Sequence, residues 1–224
     1  MTARVKICGI RDGEALDAAL AAGADLVGLV MFPKSPRNVT LEEAAALASR
    51  ARAAGNEVKV VVLLVDPDDA LVAAVANTVS PDLIQLHGHE TPERVRAIRR
   101  LSGCPILKAV AVASTTDVEG ALAYLEPEGA GADMLLFDAR PPADPAALPG
   151  GNGLAFDWRI LEAVKGRISF ALAGGLTPEN VAAAIALTHA DIVDVSSGVE
   201  CKPGEKDPER IRRFLQAAKA AKEA

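Results

Sequence analysis

The feature that most constrains this chain is an alternation, repeated eight times, of a short apolar run and a longer segment with helical spacing. The apolar runs begin near Val5 and then cover residues 25–32, 59–65, 83–87, 105–112, 134–138, 169–173 and 192–196. Between them stand signals that start helices. Asp12 precedes a segment that ends at Gly23, and Thr40-Leu41-Glu42-Glu43 reads as a capping box. Asp66-Pro67, Thr91-Pro92-Glu93, Thr177-Pro178-Glu179 and Asp207-Pro208-Glu209 place proline where a first helical turn tolerates it, and further helices are expected over 116–124 and from Trp158. Strands alternating with helices through short links predict a parallel sheet. Eight such units in 224 residues predict an α/β fold closed into a (β/α)8 barrel, with a doubly wound open sheet as the alternative arrangement. No linker, low-complexity tract or charge run divides the chain, so one domain over residues 1–224 is expected.

Only 3% of residues are aromatic, so the core must be built from Ala, Val, Leu and Ile. The net charge of -6 argues against a nucleic-acid surface. It leaves room for a small phosphorylated substrate, because a few local cations and helix N-termini suffice to hold an anion. The three cysteines are far apart and odd in number, which excludes a disulfide framework and a zinc pattern. Met1-Thr2-Ala3-Arg4 leads into no signal-peptide core, and no apolar run reaches membrane-spanning length. A cytoplasmic protein with no membrane partner is expected, as a monomer or a homodimer.

In a barrel of this kind the chemistry lies at the C-terminal ends of the strands. That rule selects Cys8, the loop holding Arg37, His87, Asp138, Gly174-Gly175 and Ser196-Ser197-Gly198. Gly174 and Gly175 after the seventh strand, with Ser197 and Gly198 after the eighth, fit a phosphate site made by backbone N–H groups. Cys8 is expected in an electropositive setting that favours its thiolate, able to act as base or nucleophile. Lys6 lies on the same face of the first strand and would point into the barrel. A buried ammonium needs a partner, and the expected one is Asp194 on the strand that closes the ring. Asp138 can serve as a general acid, and Arg37, in a proline-stiffened loop, suits a bidentate grip on a carboxylate. Gln85 and His87 share one face of the fourth strand and are expected to bind substrate. His87-Gly88-His89 invites a metal reading, but Asp138 is the one acidic strand end nearby and no metal site is expected. Lys108, inside the fifth strand, has no role in this reading. The loop over 139–156, with four prolines and Gly150-Gly151-Asn152-Gly153, reads as a glycine-hinged lid.

Taken together, these pieces resemble the phosphoribosylanthranilate isomerase family over nearly the whole chain. The carriers are Lys6-Ile7-Cys8-Gly9, Phe32 with Ser35-Pro36-Arg37, Gln85-Leu86-His87-Gly88, Leu136-Phe137-Asp138, Gly150-Gly151-Asn152-Gly153 with Phe156-Asp157-Trp158, Ala171-Leu172-Ala173-Gly174-Gly175-Leu176, and Asp194-Val195-Ser196-Ser197-Gly198-Val199-Glu200. Asn152 departs from the threonine usual in that glycine-rich loop. The resemblance implies an isomerase of tryptophan biosynthesis that performs an Amadori rearrangement of N-(5-phosphoribosyl)anthranilate. It implies Asp138 as general acid on the ribose ring oxygen, Cys8 as general base at C2, and Arg37 on the anthranilate carboxylate. The strand seven and eight loops would hold the phosphate, and no cofactor is implied. A histidine-pathway sugar isomerase would be expected to carry a carboxylate where this chain has Cys8. A non-catalytic sugar-phosphate-binding barrel is the other alternative.

Overall fold

The structure, a computed structural model, describes residues 3–55, 57–125, 131–143 and 148–221. Eight parallel strands close into a barrel in sequence order: β1 (Arg4–Cys8), β2 (Leu26–Met31), β3 (Lys59–Leu64), β4 (Leu83–Leu86), β5 (Ile106–Val112), β6 (Met134–Ala139), β7 (Phe170–Leu172) and β8 (Ile192–Val195). The (β/α)8 barrel expected from the alternation is the observed fold. Helices α1 (Gly13–Ala22), α2 (Leu41–Ala53), α3 (Asp69–Thr78), α4 (Pro92–Ser102), α5 (Thr115–Ala121), α6 (Val181–Thr188) and α7 (Pro208–Ala220) surround it. Between β6 and β7 the outer layer is supplied by a 3₁₀ segment, Trp158–Ala163, where the sequence predicted a helix.

Local capping chemistry explains most helix starts. The Asp12 carboxylate accepts from the Ala15 N–H at 2.8 Å, and Thr40 and Glu43 cap one another's backbone. At α3 the cap lies two residues later than expected. Asp68 caps the helix, while Asp66 takes a left-handed φ of 46° and accepts from the His89 N–H.

Strand residues alternate between two cores. Ile7, Val27, Val60, Val62, Ile84, Ile106, Leu135, Phe137 and Val193 face the helices. Leu26, Val61, Leu107, Ala109, Leu136, Ala171, Ala173 and Ile192 fill the barrel. Each fully buried Val, Leu or Ile contributes roughly 1.5–3 kcal/mol, so the apolar faces alone fix which side chains point inward. After β8 come two short antiparallel strands that the sequence did not announce, β9 (Glu200–Lys202) and β10 (Glu205–Lys206). No helix among the described residues is long and apolar enough to cross a membrane.

Candidate active site

Inward side chains of a closed eight-stranded barrel stack in tiers drawn alternately from odd and even strands. The strand register sets Lys6, Val61, Leu107 and Ala171 at one height, then Gly28, Gln85, Leu136 and Asp194, then Cys8, Leu63, Ala109 and Ala173. Lys6 is therefore the one charge in an apolar tier, and its ammonium finds partners one tier up. Lys6 Nζ donates to Gln85 Oε1 at 2.8 Å and to Asp194 Oδ1 at 3.1 Å, with the lysine fully buried. Burial alone would lower its pKa, but the Asp194 carboxylate and the Cys8 sulfur outweigh this and raise it, so the group stays an ammonium.

Gly28 makes room for this arrangement. A Cβ there would stand 2.9 Å from Cys8 Sγ and 3.1 Å from Lys6 Nζ, so both side chains lie across the bare glycine. Burial pushes the Cys8 thiol up, Lys6 and then Lys206 pull it back less strongly, and Asp194 adds to the rise. This corrects the expectation of a thiolate favoured by its surroundings. Two cations are present, yet removal from water wins, and the resting thiol holds its proton.

Across the barrel, Gln85 Nε2 stands 2.9 Å from His87 Nδ1, and His87 Nε2 stands 3.3 Å from Asp138 Oδ2. The other carboxylate oxygen, Oδ1, accepts from the Ala139 N–H at 2.8 Å. His89 points away, almost wholly exposed beside Asp66. Among the described residues no three His, Cys, Asp or Glu side chains gather to hold a metal ion.

Lys108, unassigned from sequence, is buried outside the barrel lumen. Its Nζ donates to Glu90 Oε2 at 2.6 Å and to the Gly88 carbonyl at 2.8 Å, and the ammonium lies 5.5 Å from the centre of the Tyr124 ring. Glu90 in turn accepts from the N–H groups of Asp66 and Gly88. The pair clamps the turn that carries His87.

Arg37 is buried at the cavity wall. Its Nε and Nη2 pair with Glu200 Oε1 and Oε2 at 2.7 and 2.8 Å, and Nη2 also reaches the Gly151 carbonyl at 3.3 Å. The bidentate face expected to grip a carboxylate is thus met by one from β9. Lys206 Nζ donates to the same Glu200 at 2.7 Å and to the Ser196 carbonyl at 2.9 Å. Burial of Glu200 works to raise its pKa, but the Arg37 hydrogen bond and the Lys206 charge bring the net shift below the usual carboxylate value. Burial dominates at Lys206 and lowers its pKa. Lys206 carries no local signal in the sequence, and Glu200 stands there only as the last residue of the Asp194–Glu200 stretch, so neither is legible as a site residue before the chain is folded.

One cleft of about 790 Å³, counting space open to solvent, joins these groups. Cys8, Arg37, Gln85, His87, Asp138 and Asp194 line it together with Gly174, Gly175, Ser197 and Gly198. Residues 148–154 cover one side. The Gly150 backbone lies so close to the fourth and sixth strand ends that a Cβ would stand 2.6 Å from His87 Nε2 and 2.8 Å from Asp138 Oδ2. Pro145, part of the expected lid, lies outside the described residues.

Known proteins match this chain over nearly its whole length. The family described as N-(5'phosphoribosyl)anthranilate (PRA) isomerase matches residues 5–217. The N-(5'-phosphoribosyl)anthranilate isomerase of Paramagnetospirillum magneticum is 52% identical over 222 residues, covering 99% of this chain and all of the relative. A structure of monomers generated from the dimeric phosphoribosylanthranilate isomerase of Thermotoga maritima superposes with a TM-score of 0.82 at 34% identity, covering 98% of this chain and 100% of that one. A phosphoribosylanthranilate isomerase solved with reduced 1-(o-carboxyphenylamino)-1-deoxyribulose 5-phosphate gives a TM-score of 0.83 at 34% identity and the same coverage.

Proposed function

Because the chain belongs to the N-(5'-phosphoribosyl)anthranilate isomerase family, we propose that it carries out the family's rearrangement with Asp138 as general acid and Cys8 as general base. It is an isomerase of tryptophan biosynthesis. The observation that carries the residue assignment is one cleft lined by the Cys8 thiol, the buried Asp138, a buried guanidinium and the glycine turns after β7 and β8, the other buried carboxylate there, Asp194, being paired with Lys6.

Asp138 gives a proton to the ribose ring oxygen as the C1–O bond breaks, and the anthranilate nitrogen lone pair forms the C1=N iminium. The Ala139 N–H, and beside it the His87 ring, face the carboxylate that this step leaves behind. Cys8 then takes the C2 proton, and the C–H electron pair flows into the iminium to give an enolamine. Tautomerisation yields 1-(2-carboxyphenylamino)-1-deoxyribulose 5-phosphate. The thiol must first ionise, releasing its proton to solvent in the open cleft, and the cationic iminium adds a positive charge to those of Lys6 and Lys206 as the base is needed. Because the iminium is itself the electron sink, this route calls for no cofactor.

Arg37, already oriented by Glu200, offers its remaining N–H groups to the anthranilate carboxylate. Gly174, Gly175, Ser197 and Gly198 take the phosphate, and residues 148–154 act as the lid. A cytoplasmic setting keeps a working thiol reduced, and the chain acts as a monomer or homodimer.

The test is rescue of a tryptophan-requiring strain lacking this isomerase, beside a histidine-requiring one. Rescue of the first strain is expected, whereas failure to rescue it despite folded, soluble expression would overturn the reading.

A further inference from the structure

Lys6, Gln85, His87 and Asp138 form a continuous file of polar groups across the barrel, and the file has only one consistent arrangement of protons. It starts at Lys6, fully buried and held as an ammonium by Asp194. An ammonium donates hydrogen bonds and accepts none. The Gln85 atom 2.8 Å from it must therefore be the carbonyl oxygen, which leaves the amide NH2 facing His87 Nδ1 at 2.9 Å. The reverse orientation would press two donors together in a fully buried site, with nothing to offset the lost hydrogen bond. Nδ1 must then accept, so the neutral imidazole carries its proton on Nε2. That nitrogen stands 3.3 Å from Asp138 Oδ2, a separation that can tighten once substrate is bound.

We propose that Gln85, oriented by Lys6, is the positioning residue that fixes His87 as the Nε2–H tautomer, so that an N–H faces Asp138 as negative charge develops on it. Ala139 supplies the second donor, on Oδ1. The role rests on the acid function proposed for Asp138. Gln85 acts through His87 and transfers no proton itself.

Long-range proton–nitrogen correlation spectra of the uniformly nitrogen-15-labelled enzyme read the tautomer directly. His87 is told from His89 and His189 by the signals lost in His87→Asn. At neutral pH the wild type is expected to show His87 protonated on Nε2 alone; a proton on Nδ1, by itself or in the doubly protonated ring, would overturn the proposal. Gln85→Met keeps the length of the side chain without the amide. It should let the Nδ1–H form appear and lower kcat by about 10- to 100-fold, the scale of one hydrogen bond to a charged group, with KM little changed. A Gln85→Met enzyme that keeps a pure Nε2–H ring, or keeps its kcat, refutes the role. If this variant does not fold, the wild-type spectrum still decides. Normal turnover by Asp138→Asn would instead remove the acid assignment and leave the tautomer standing, so the two failures are distinguishable.

Discussion

Lys6→Met tests the ion pair at the centre of the barrel. The substitution keeps the volume of the side chain, removes the ammonium, and leaves the Asp194 carboxylate only 7% exposed with no cation at 3.1 Å. Stranding one partner of a buried pair costs about 3–5 kcal/mol. For a chain of this size each kcal/mol lowers Tm by about 2–4 °C, so a fall of roughly 6–20 °C is expected. Adding Asp194→Asn removes the stranded charge and should return about 2–3 kcal/mol, a coupling typical of residues in direct contact. Thermal and urea denaturation of the two single variants and the double variant measure both quantities. The same change removes the strongest pull that keeps the Cys8 thiol from rising further. In a background with Cys104 and Cys201 replaced by alanine, thiolate absorbance should therefore appear at higher pH in Lys6→Met than in the parent. A loss below about 1 kcal/mol, the scale of an exposed pair, would refute the reasoning. So would a double variant no more stable than Lys6→Met alone.

Three other outcomes are expected. Gly28→Ala puts a Cβ 2.9 Å from Cys8 Sγ, so it should lower kcat while the circular-dichroism spectrum stays native; unchanged turnover would show that the thiol can shift without consequence. Lys108→Met strands Glu90, whose side chain is 1% exposed, and should cost about 3–5 kcal/mol in urea denaturation; a neutral effect would mean the turn holds His87 by other means. The third concerns pH. The pKa values of Cys8 and Lys6 are both raised in the folded state, so the native chain keeps protons that the unfolded chain releases. The part of the stability that these two groups supply should be full below pH 9.0, the ordinary thiol value, and decline as pH rises beyond it. Cys8→Ala should flatten the start of that decline, and an identical slope in both proteins would contradict the assignment.

How much of this was legible in the sequence depends on the distance over which each cause acts. Asp12, the Thr40–Glu43 box, Pro92 and Pro208 act within one helical turn, and their helices start as read. Lys6 facing Asp194 could be read from topology, because a closed ring must set the first strand beside the last. The cap at α3 was misplaced because Asp66-Pro67 and Asp68 are both capping chemistry, and the choice was made by contacts from Glu90 and His89 in the β4–α4 turn. Glu200 meets Arg37 across 163 residues of sequence, and Gly28 contributes by having no side chain. Neither leaves a local signal. The direction of the Cys8 shift is a balance between burial and two cations, one of them on a hairpin the sequence did not reveal.

Single-turnover reaction of Cys8→Ala and Asp138→Asn with N-(5-phosphoribosyl)anthranilate, beside the wild type, bears most directly on the acid and base roles proposed for these two residues. Each variant is expected to fold normally, bind substrate, and convert it at least about 100-fold more slowly, the scale of a lost acid or base. Conversion at near wild-type rate by either one would mean that its side chain moves no proton in this reaction.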